Sequence, residues 1–349
     1  MINPRPGPSG RMHASLQLHV SRRCNLQCLH CYSNSSPHQT ETLPLDLLQQ
    51  TVREAVTEGF GHLAISGGEP LLYQPLPKLL KTAKDSGIIT TITTNGILLT
   101  PQRVAQLQGT VDLIAISLDG VPSSHNHMRN APRAFESMQA NLETLREAQI
   151  PFGFIFTLTQ YNLHELDWIT TFALDQGARS LQIHPLEEFG RASNQLQGNS
   201  PDAREKTIAF LEFLRVQAKA KDNLHIQIDL ADRVALQAHP DRVYANLTDT
   251  DVSTEPLANL VSPLVVETDG TVVPLQYGFP RPYALGNLKE RSLLALSNRW
   301  KQGGHRPFHT LCSHTFETVT RDNGLPFLNW YEVLAREGRK TTTFPALQR

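Results

Sequence analysis

Three cysteines lie within eight residues near the start of the chain, at Cys24, Cys28 and Cys31, directly after an apolar stretch. Thiolates are soft ligands that select zinc, copper or iron–sulfur clusters. Three thiolates on one short loop can hold a metal centre and still leave one coordination position open, where a substrate or cofactor can bind. The spacing therefore predicts a reactive metal centre on this loop.

A structural zinc site is the first alternative. Such a site usually has four closed ligands from two paired knuckles, whereas the fourth and last cysteine, Cys312, has no cysteine near it. A four-iron cluster held by three cysteines, with one iron open, fits the spacing better. Because these four thiols also make a poor disulfide framework, we expect a reduced, cytoplasmic compartment.

Composition excludes several classes of function. The chain has 349 residues and a formal net charge of −1 without a long basic run, so we expect no nucleic-acid partner. No stretch approaches the ~18 apolar residues of a membrane-spanning helix, so we expect no membrane partner. The first residues are polar and rich in Pro and Gly, and they lack the apolar region of a signal peptide.

Short apolar or β-branched segments alternate with helix patterns over the first two thirds of the chain. Leu45, Leu48, Val52 and Val56 form one apolar helix face. Strand–helix alternation predicts a parallel sheet, and six units favour a partial (β/α)6 TIM-type barrel with its functional loops at the strand C-termini. A Rossmann-like sheet is the alternative, but no G-x-G-x-x-G follows the first strand. The predicted strands are residues 16–20, 62–66, 88–94, 111–118, 152–158 and 180–184.

The regular alternation of strands and helices ends after about residue 220. A further strand is predicted at 224–230, a loop at 242–259, a β-hairpin at 264–273 with Asp269-Gly270 at its turn, and a helix at 288–300. We therefore predict three parts: an N-terminal arm at 1–14, a barrel at 15–220 and a smaller C-terminal domain at 221–349.

Short motifs follow several of the predicted strands. In chain order they are Cys24, Cys28 and Cys31 with Tyr32, then Ser66-Gly67-Gly68-Glu69-Pro70, Thr94-Asn95-Gly96, Ser117-Leu118-Asp119-Gly120, the stretch from His125 to Arg129, and Gly190-Arg191-Ala192. Together they resemble the motifs of radical S-adenosylmethionine (SAM) enzymes. Each match is short, but their joint appearance in this order is specific.

The resemblance implies one [4Fe-4S] cluster on the three cysteines, with SAM on its open iron. Glu69 would accept hydrogen bonds from the ammonium group of SAM, while Gly67 and Gly68 would let backbone amides approach a ligand closely. In this family, reductive cleavage of SAM gives methionine and a 5′-deoxyadenosyl radical that abstracts hydrogen from substrate, and an external donor such as flavodoxin or ferredoxin supplies the electron. The implied cofactor-binding residues are Tyr32, Ser66, Gly67, Gly68, Glu69, Pro70, Asn95, Ser117, Asp119 and Arg129.

The C-terminal part resembles the SPASM or twitch region of peptide-modifying radical SAM enzymes. Its hairpin, followed by Ala284-Leu285-Gly286-Asn287-Leu288, carries the similarity. The family hairpin continues V-x-P-C, where the cysteine binds an auxiliary cluster, but this chain has Leu275 and Gln276 after Pro274. Since Cys312 alone cannot hold a four-iron cluster, we predict a degenerate domain without an auxiliary cluster.

Cys312 has three interpretations. In the first, it is a buried small hydrophobic residue, the commonest fate of a free cysteine. In the second, it is a catalytic hydrogen-atom donor to a substrate radical, as the resemblance to the radical SAM superfamily implies, since some peptide epimerases of that superfamily use such a cysteine. In the third, it joins His309 or His314 in a metal site, although that spacing matches no standard motif.

The resemblance favours a ribosomally made precursor peptide as substrate, with cross-linking, epimerisation or excision as outcome. Because the cysteine loop begins at residue 24, we expect a separate protein to recognise the peptide. A radical SAM enzyme acting on a sugar, amino acid or cofactor precursor is the second hypothesis. A non-catalytic metal-binding partner protein is the third, although such a scaffold has no need of an oxygen-sensitive cluster.

Overall fold

The computed structural model describes residues 13–240, 243–244, 252–321 and 326–343, with side chains as far as residue 340. Residues 1–12 of the predicted N-terminal arm and part of the predicted loop at 242–259 lie outside these residues. The strands are β1 (Ser15–His19), β2 (His62–Ser66), β3 (Ile89–Thr94), β4 (Leu113–Ser117), β5 (Phe152–Leu158), β6 (Ser180–Pro185), β7 (His225–Ile228), β8 (Ala231–Asp232), β9 (Leu264–Val266), β10 (Thr271–Pro274), β11 (Gly286–Asn287) and β12 (Phe327–Leu328).

Helices connect the strands of the barrel and also occur throughout the C-terminal part. They are α1 (Leu45–Thr57), α2 (Leu76–Asp85), α3 (Pro101–Leu107), α4 (Pro122–Arg129), α5 (Ala134–Ala140), α6 (Leu142–Glu147), α7 (Leu166–Asp175), α8 (Ala192–Gln195), α9 (Ala203–Ala220), α10 (Arg233–Ala238), α11 (Leu257–Leu260), α12 (Leu293–Arg299), α13 (His305–Arg321) and α14 (Trp330–Thr343). Helix α9 begins at a capping box, in which Asp202 accepts from the Glu205 amide and Glu205 accepts from the Asp202 amide.

The central sheet has ten strands in the order β11-β10-β9-β1-β2-β3-β4-β5-β6-β7. Strands β1 to β7 are parallel to their neighbours. The predicted hairpin is present as β9 and β10, and β9 pairs in parallel with β1, where Leu264 is opposite Leu16. The predicted fold class is confirmed, and the C-terminal hairpin continues the sheet beyond β1.

The strands of the barrel alternate between two kinds of residue. One set is large, apolar and fully buried, including Leu63 and Ile65 of β2 and Ile114 and Ile116 of β4. Residues at the alternate positions line a cavity of about 340 Å3, and many are small or polar: Gln17, Ala64, Ser66, Thr91, Thr93, Ala115, Ser117, Thr157 and Gln182. Barrels of this type are usually filled by bulky branched side chains. Here the smaller ones leave room for a ligand.

The two longest C-terminal helices, α13 and α14, were not predicted from the sequence. Helix α13 contains Pro307 and several His and Thr residues, which are poor helix formers, but one face places Phe308, Leu311 and Cys312 in the core. Packing against α14 and the segment Trp300–Gly304 stabilises it. Across the described ranges, none of the helices combines the length and apolarity needed to cross a bilayer.

Candidate active site

The cysteine loop lies at the C-terminal edge of the parallel strands and lines the mouth of the cavity. Cys24 and Cys28 are buried, and Cys31 is half-buried. Two sulfur atoms accept backbone hydrogen bonds: Cys24 Sγ from the Leu26 amide at 3.4 Å and Cys31 Sγ from the Ser35 amide at 3.3 Å. Such donors favour the thiolate form that a metal requires.

Gly67 and Gly68 fix this loop to the end of β2. The Gly68 amide donates to the Ser21 carbonyl at 2.6 Å, and the Glu69 amide donates to the Arg23 carbonyl at 2.9 Å. A Cβ atom on Gly68 would collide with the Arg23 carbonyl oxygen, and one on Gly67 would lie 2.5 Å from the Ser21 oxygen. We expected these glycines to let the backbone approach a ligand, but they let it approach the Ser21 and Arg23 carbonyls of the chain itself. Both glycines also line the cavity.

Glu69 is buried between the second and third strand ends. Its carboxylate accepts from the Leu71 amide at 3.1 Å, the Thr94 hydroxyl at 2.8 Å and the Asn95 amide at 3.0 Å. A carboxylate offers about four acceptor positions, so these described contacts leave one for a further donor in the cavity. Burial raises the pKa of Glu69, against the opposing effect of the hydrogen bonds from Asn95, Thr94 and Leu71.

Asn95 connects Glu69 to the cysteine loop. Its side-chain amide donates to Asn25 Oδ1 at 2.8 Å and lies 4.0 Å from Cys24 Sγ, and its Oδ1 accepts from the Ile97 amide at 3.1 Å. Four further predicted site residues are placed nearby or beside the cavity. The Tyr32 hydroxyl lies 3.3 Å from Ser66 Oγ, Ser117 lines the cavity, and Pro70 begins a short helical turn.

Asp119 and Arg129 form a buried ion pair on the far side of the loop. Arg129 Nε lies 2.6 Å from Asp119 Oδ2, and Arg129 Nη1 lies 3.8 Å from Cys28 Sγ. Asp119 has no exposed side-chain surface, and the Arg129 side chain is 8% exposed. Burial acts to raise the pKa of Asp119. The charge of Arg129 and other neighbouring groups have a larger opposite effect, so the pKa lies below the usual range for an aspartate. The two side chains therefore contact each other, and Arg129 also lies near Cys28, a candidate metal ligand.

Arg191 makes a contact with the loop that sequence reasoning missed. Its guanidinium donates to the Cys28 carbonyl at 2.6 Å and the Ser35 carbonyl at 2.8 Å, and its amide donates to the Cys31 carbonyl at 2.9 Å. The planar guanidinium suits two acceptors at once. The Gly190-Arg191-Ala192 motif was the available signal, but the sequence does not show which group the arginine contacts.

The wall of the cavity beyond the cysteines carries a polar cluster, which sequence reasoning also missed. His184 Nδ1 lies 2.9 Å from Asp229 Oδ2, and His184 Nε2 lies 3.8 Å from Glu187 Oε1. Gln182 donates to Asp229 at 2.7 Å, and Gln276 donates to Glu187 at 3.1 Å. Burial lowers the pKa of His184, but the hydrogen bond and charge of Asp229, together with the Glu187 charge, raise it overall.

The donor set of the loop fits an iron–sulfur cluster. In the described part of the chain, no three His, Cys, Asp or Glu side chains form a site for a single metal ion. A cluster binds each cysteine through a different iron, so the thiols need not meet at one point. Burial is the main cause that raises the pKa of Cys24 to about 12, and the nearby Glu69 and the other cysteines contribute in the same direction. Bound metal would displace these protons and compensate the clustered negative charge.

The structure does not bring Cys312 to the cavity. It is 1% exposed within α13, among the apolar side chains of the core, and burial raises its pKa far above the usual range for a thiol. The placement agrees with the interpretation as a buried hydrophobic residue. A catalytic role for Cys312 has no geometric support in this arrangement.

The protein is therefore an α/β barrel with a metal-centre motif on the loop at its mouth, beside a ligand cavity. Residues 18–173 match the model of the Radical SAM superfamily. The chain therefore contains a radical SAM domain.

Three curated proteins of similar sequence are named as synthases of heme, Fe-coproporphyrin III or pre-heme d1. An AdoMet-dependent heme synthase of Methanosarcina barkeri is 31% identical over 58% of this chain and 58% of its own length. The Fe-coproporphyrin III synthase of the same organism is 25% identical over 78% of this chain and 70% of its own length. A pre-heme d1 synthase of Dinoroseobacter shibae is 29% identical over 59% of this chain and 52% of its own length. The alignments thus span little more than half of two of these relatives.

Solved structures share the fold at lower identity. Streptococcus suis SuiB bound to the precursor peptide SuiA has a TM-score of 0.63 and 16% identity, covering 82% of this chain and 64% of SuiB. The protein anSMEcpe with bound AdoMet has a TM-score of 0.64 and 18% identity, covering 95% of this chain and 96% of that one. These likenesses show the fold: a partial barrel with a small C-terminal twitch-like part.

Proposed function

We propose that this protein is a radical SAM enzyme that abstracts hydrogen from its substrate. The observation that carries the proposal is the placement of Cys24, Cys28 and Cys31 at the mouth of a cavity that Glu69 and Asn95 also line. A [4Fe-4S] cluster and SAM, when bound, supply the electron and the 5′-deoxyadenosyl radical. The chain supplies the three thiolates, the acceptors for the amino group of SAM and a cavity enclosed by barrel strands.

Each region of the cavity has its own role in this proposal. Tyr32, Ser66, Asn95 and Ser117, with Glu69, would orient SAM at the mouth. The polar cluster of His184, Asp229 and Glu187 would orient the substrate, because its donors and acceptors face the same cavity from the other wall. Gly67, Gly68, Asp119, Arg129 and Arg191 would position the cysteine loop. An external reductant such as flavodoxin or ferredoxin would provide the electron.

The cysteines and SAM cleavage are tested together. Anaerobic reconstitution with iron and sulfide should give a chain with about four irons that produces 5′-deoxyadenosine from SAM under reducing conditions. Cys24→Ala, Cys28→Ala and Cys31→Ala should each lose the cluster and at least 100-fold of this product, measured by liquid chromatography. Cys312→Ala, which removes a thiol far from the loop in sequence and absent from the cavity wall, is the matched control.

Two results would contradict the radical SAM proposal. One is a wild-type protein that binds zinc tightly and shows no cluster absorption. The other is 5′-deoxyadenosine formation that persists at the wild-type rate when any of the three cysteines is replaced. Equal loss in Cys312→Ala would show that the assay reports general damage.

For the substrate we propose a small molecule, a tetrapyrrole carboxylic acid, as the first candidate. The support is the sequence similarity at 25–31% identity to relatives named for heme, Fe-coproporphyrin III and pre-heme d1 synthesis. A precursor peptide is the second candidate, supported by the shared fold with SuiB in its complex with SuiA and with anSMEcpe bound to peptides. A separate peptide-recognition protein would accompany that second candidate.

The two substrate candidates are separated by binding to the reconstituted protein. Fe-coproporphyrin III should shift its own visible absorption band on binding, and His184→Leu should weaken this binding at least tenfold, because the cavity wall loses a hydrogen-bonding group. Asp232→Asn, at a carboxylate that caps α10, is the control. An unchanged spectrum at saturating protein, together with hydrogen transfer from a precursor peptide, would contradict the tetrapyrrole candidate.

A further inference from the structure

Arg129 places a buried positive charge beside one of the three cysteines. Its Nη1 lies 3.8 Å from Cys28 Sγ, and the side chain is 8% exposed. Arginine stays protonated at all ordinary pH values, so this charge is permanent. Around the other two sulfurs, the described hydrogen-bonding contacts come from neutral groups. They are the Leu26 amide and the Asn25 and Asn95 side chains at Cys24, and the Ser33 hydroxyl and Ser35 amide at Cys31.

Arg129 is held in place by a partner on its other side. Asp119 Oδ2 lies 2.6 Å from Arg129 Nε, and the Asp119 amide donates to His125 Nδ1 at 3.2 Å. His30, inside the cysteine loop, lies 3.9 Å from the same carboxylate oxygen. The guanidinium therefore lies between a carboxylate and a sulfur, so that Arg129 makes one contact with each.

We infer that Arg129 is a positioning residue that sets the reduction potential of the cluster on the cysteine loop, and that Asp119 limits its effect. The inference rests on the proposed function. A cluster gains negative charge when it takes up an electron, so a nearby positive charge stabilises the reduced form and raises the potential. Burial strengthens this effect, because water screens the charges less. Asp119 opposes it, since its carboxylate partly cancels the same positive charge.

The midpoint potential of the reconstituted protein without SAM tests this inference. It is measured by anaerobic redox titration followed by electron paramagnetic resonance. Arg129→Met should lower the potential, and Asp119→Asn should raise it, while Arg129→Lys should stay nearer to wild type because it keeps the charge. Arg22→Met removes another arginine of the same loop, one that pairs with Glu41 at 3.3 Å, and should leave the potential unchanged.

Iron and sulfide contents distinguish the outcomes. A wild-type chain without a cluster would overturn the proposed function and this inference together. A full cluster with equal potentials in wild type and Arg129→Met would overturn this inference alone. If Arg129→Met binds no cluster, Asp119→Asn decides: a raised potential supports the inference, and an unchanged or lowered one overturns it. A merely structural role would change cluster content without opposite shifts in these two variants.

Discussion

Gly68→Ala is expected to remove the iron–sulfur cluster from the protein and to lower the stability of the apo chain by about 2–4 kcal/mol. The added Cβ atom would collide with the Arg23 carbonyl oxygen and approach the Arg23 carbonyl carbon to 2.7 Å. Both atoms belong to the backbone, so a side-chain rotation cannot relieve the contact. The end of β2 must therefore move away from the cysteine loop.

That movement would break the two hydrogen bonds that join the loop to β2. They run from the Gly68 amide to Ser21 and from the Glu69 amide to Arg23. A buried amide without an acceptor costs about 1–3 kcal/mol. The loop that carries Cys24, Cys28 and Cys31 would lose its support on this side, although Arg191 would still contact it on the other.

The measurement has two parts: iron per chain after anaerobic reconstitution, and urea unfolding of the apo protein. Gly303→Ala is the matched control, because a Cβ atom there meets nothing within 4 Å. It should bind iron as the wild type does. Gly68→Ala with full iron content and unchanged stability would show that β2 and the loop are not joined in solution as described.

The sequence predicted the barrel strands well for a physical reason. Several strands alternate large apolar residues with small or polar ones, as in Leu63, Ala64 and Ile65 of β2, so the local pattern and the tertiary environment agree. The same alternation contained an unused signal. Thr91, Thr93 and Ala115 are too small to fill a barrel, and their positions on one strand face indicated a cavity.

The contacts around the site were less predictable. Thr94, Asn95 and Leu71 all donate to Glu69, yet a three-residue motif does not show that its first member contacts a carboxylate 25 residues earlier. The arrangement around His184 requires β6, β7 and the C-terminal part to meet, which no local pattern specifies. Helix α13 likewise depends on packing against other helices, such as α10 and α14, rather than on its own helix propensity.

Glu69→Gln is expected to weaken SAM binding about 10–100-fold while the cluster remains. A hydrogen bond between charged groups contributes about 1.5–3 kcal/mol, and 1.4 kcal/mol corresponds to a tenfold change in affinity. The variant loses the negative charge that would attract the ammonium group of SAM. It also presents an amide donor to one of the three donors that now surround the carboxylate: the Leu71 amide, the Thr94 hydroxyl and the Asn95 amide.

The pH dependence of SAM binding follows from the pKa of Glu69 in the protein without ligand. Burial raises that pKa above the usual glutamate value. As the pH falls through the raised pKa, the carboxylate takes up a proton before ligand binds, and an acceptor for the ammonium group is lost. SAM affinity should therefore decrease toward acid pH, beginning at a higher pH than for an exposed glutamate, and Glu69→Gln should not show this decrease.

Glu165→Gln is the matched control for the affinity measurement. Glu165 is also buried, and its carboxylate accepts from the Val121 amide at 2.8 Å and the Ser124 hydroxyl at 2.6 Å, but it does not line the cavity. Both variants should lose some stability, because each places an amide among hydrogen-bond donors. Only Glu69→Gln should weaken SAM binding in anaerobic equilibrium dialysis with radiolabelled SAM. Wild-type affinity in a fully iron-loaded Glu69→Gln protein would show that Glu69 supports the loop at Asn95 rather than the ligand.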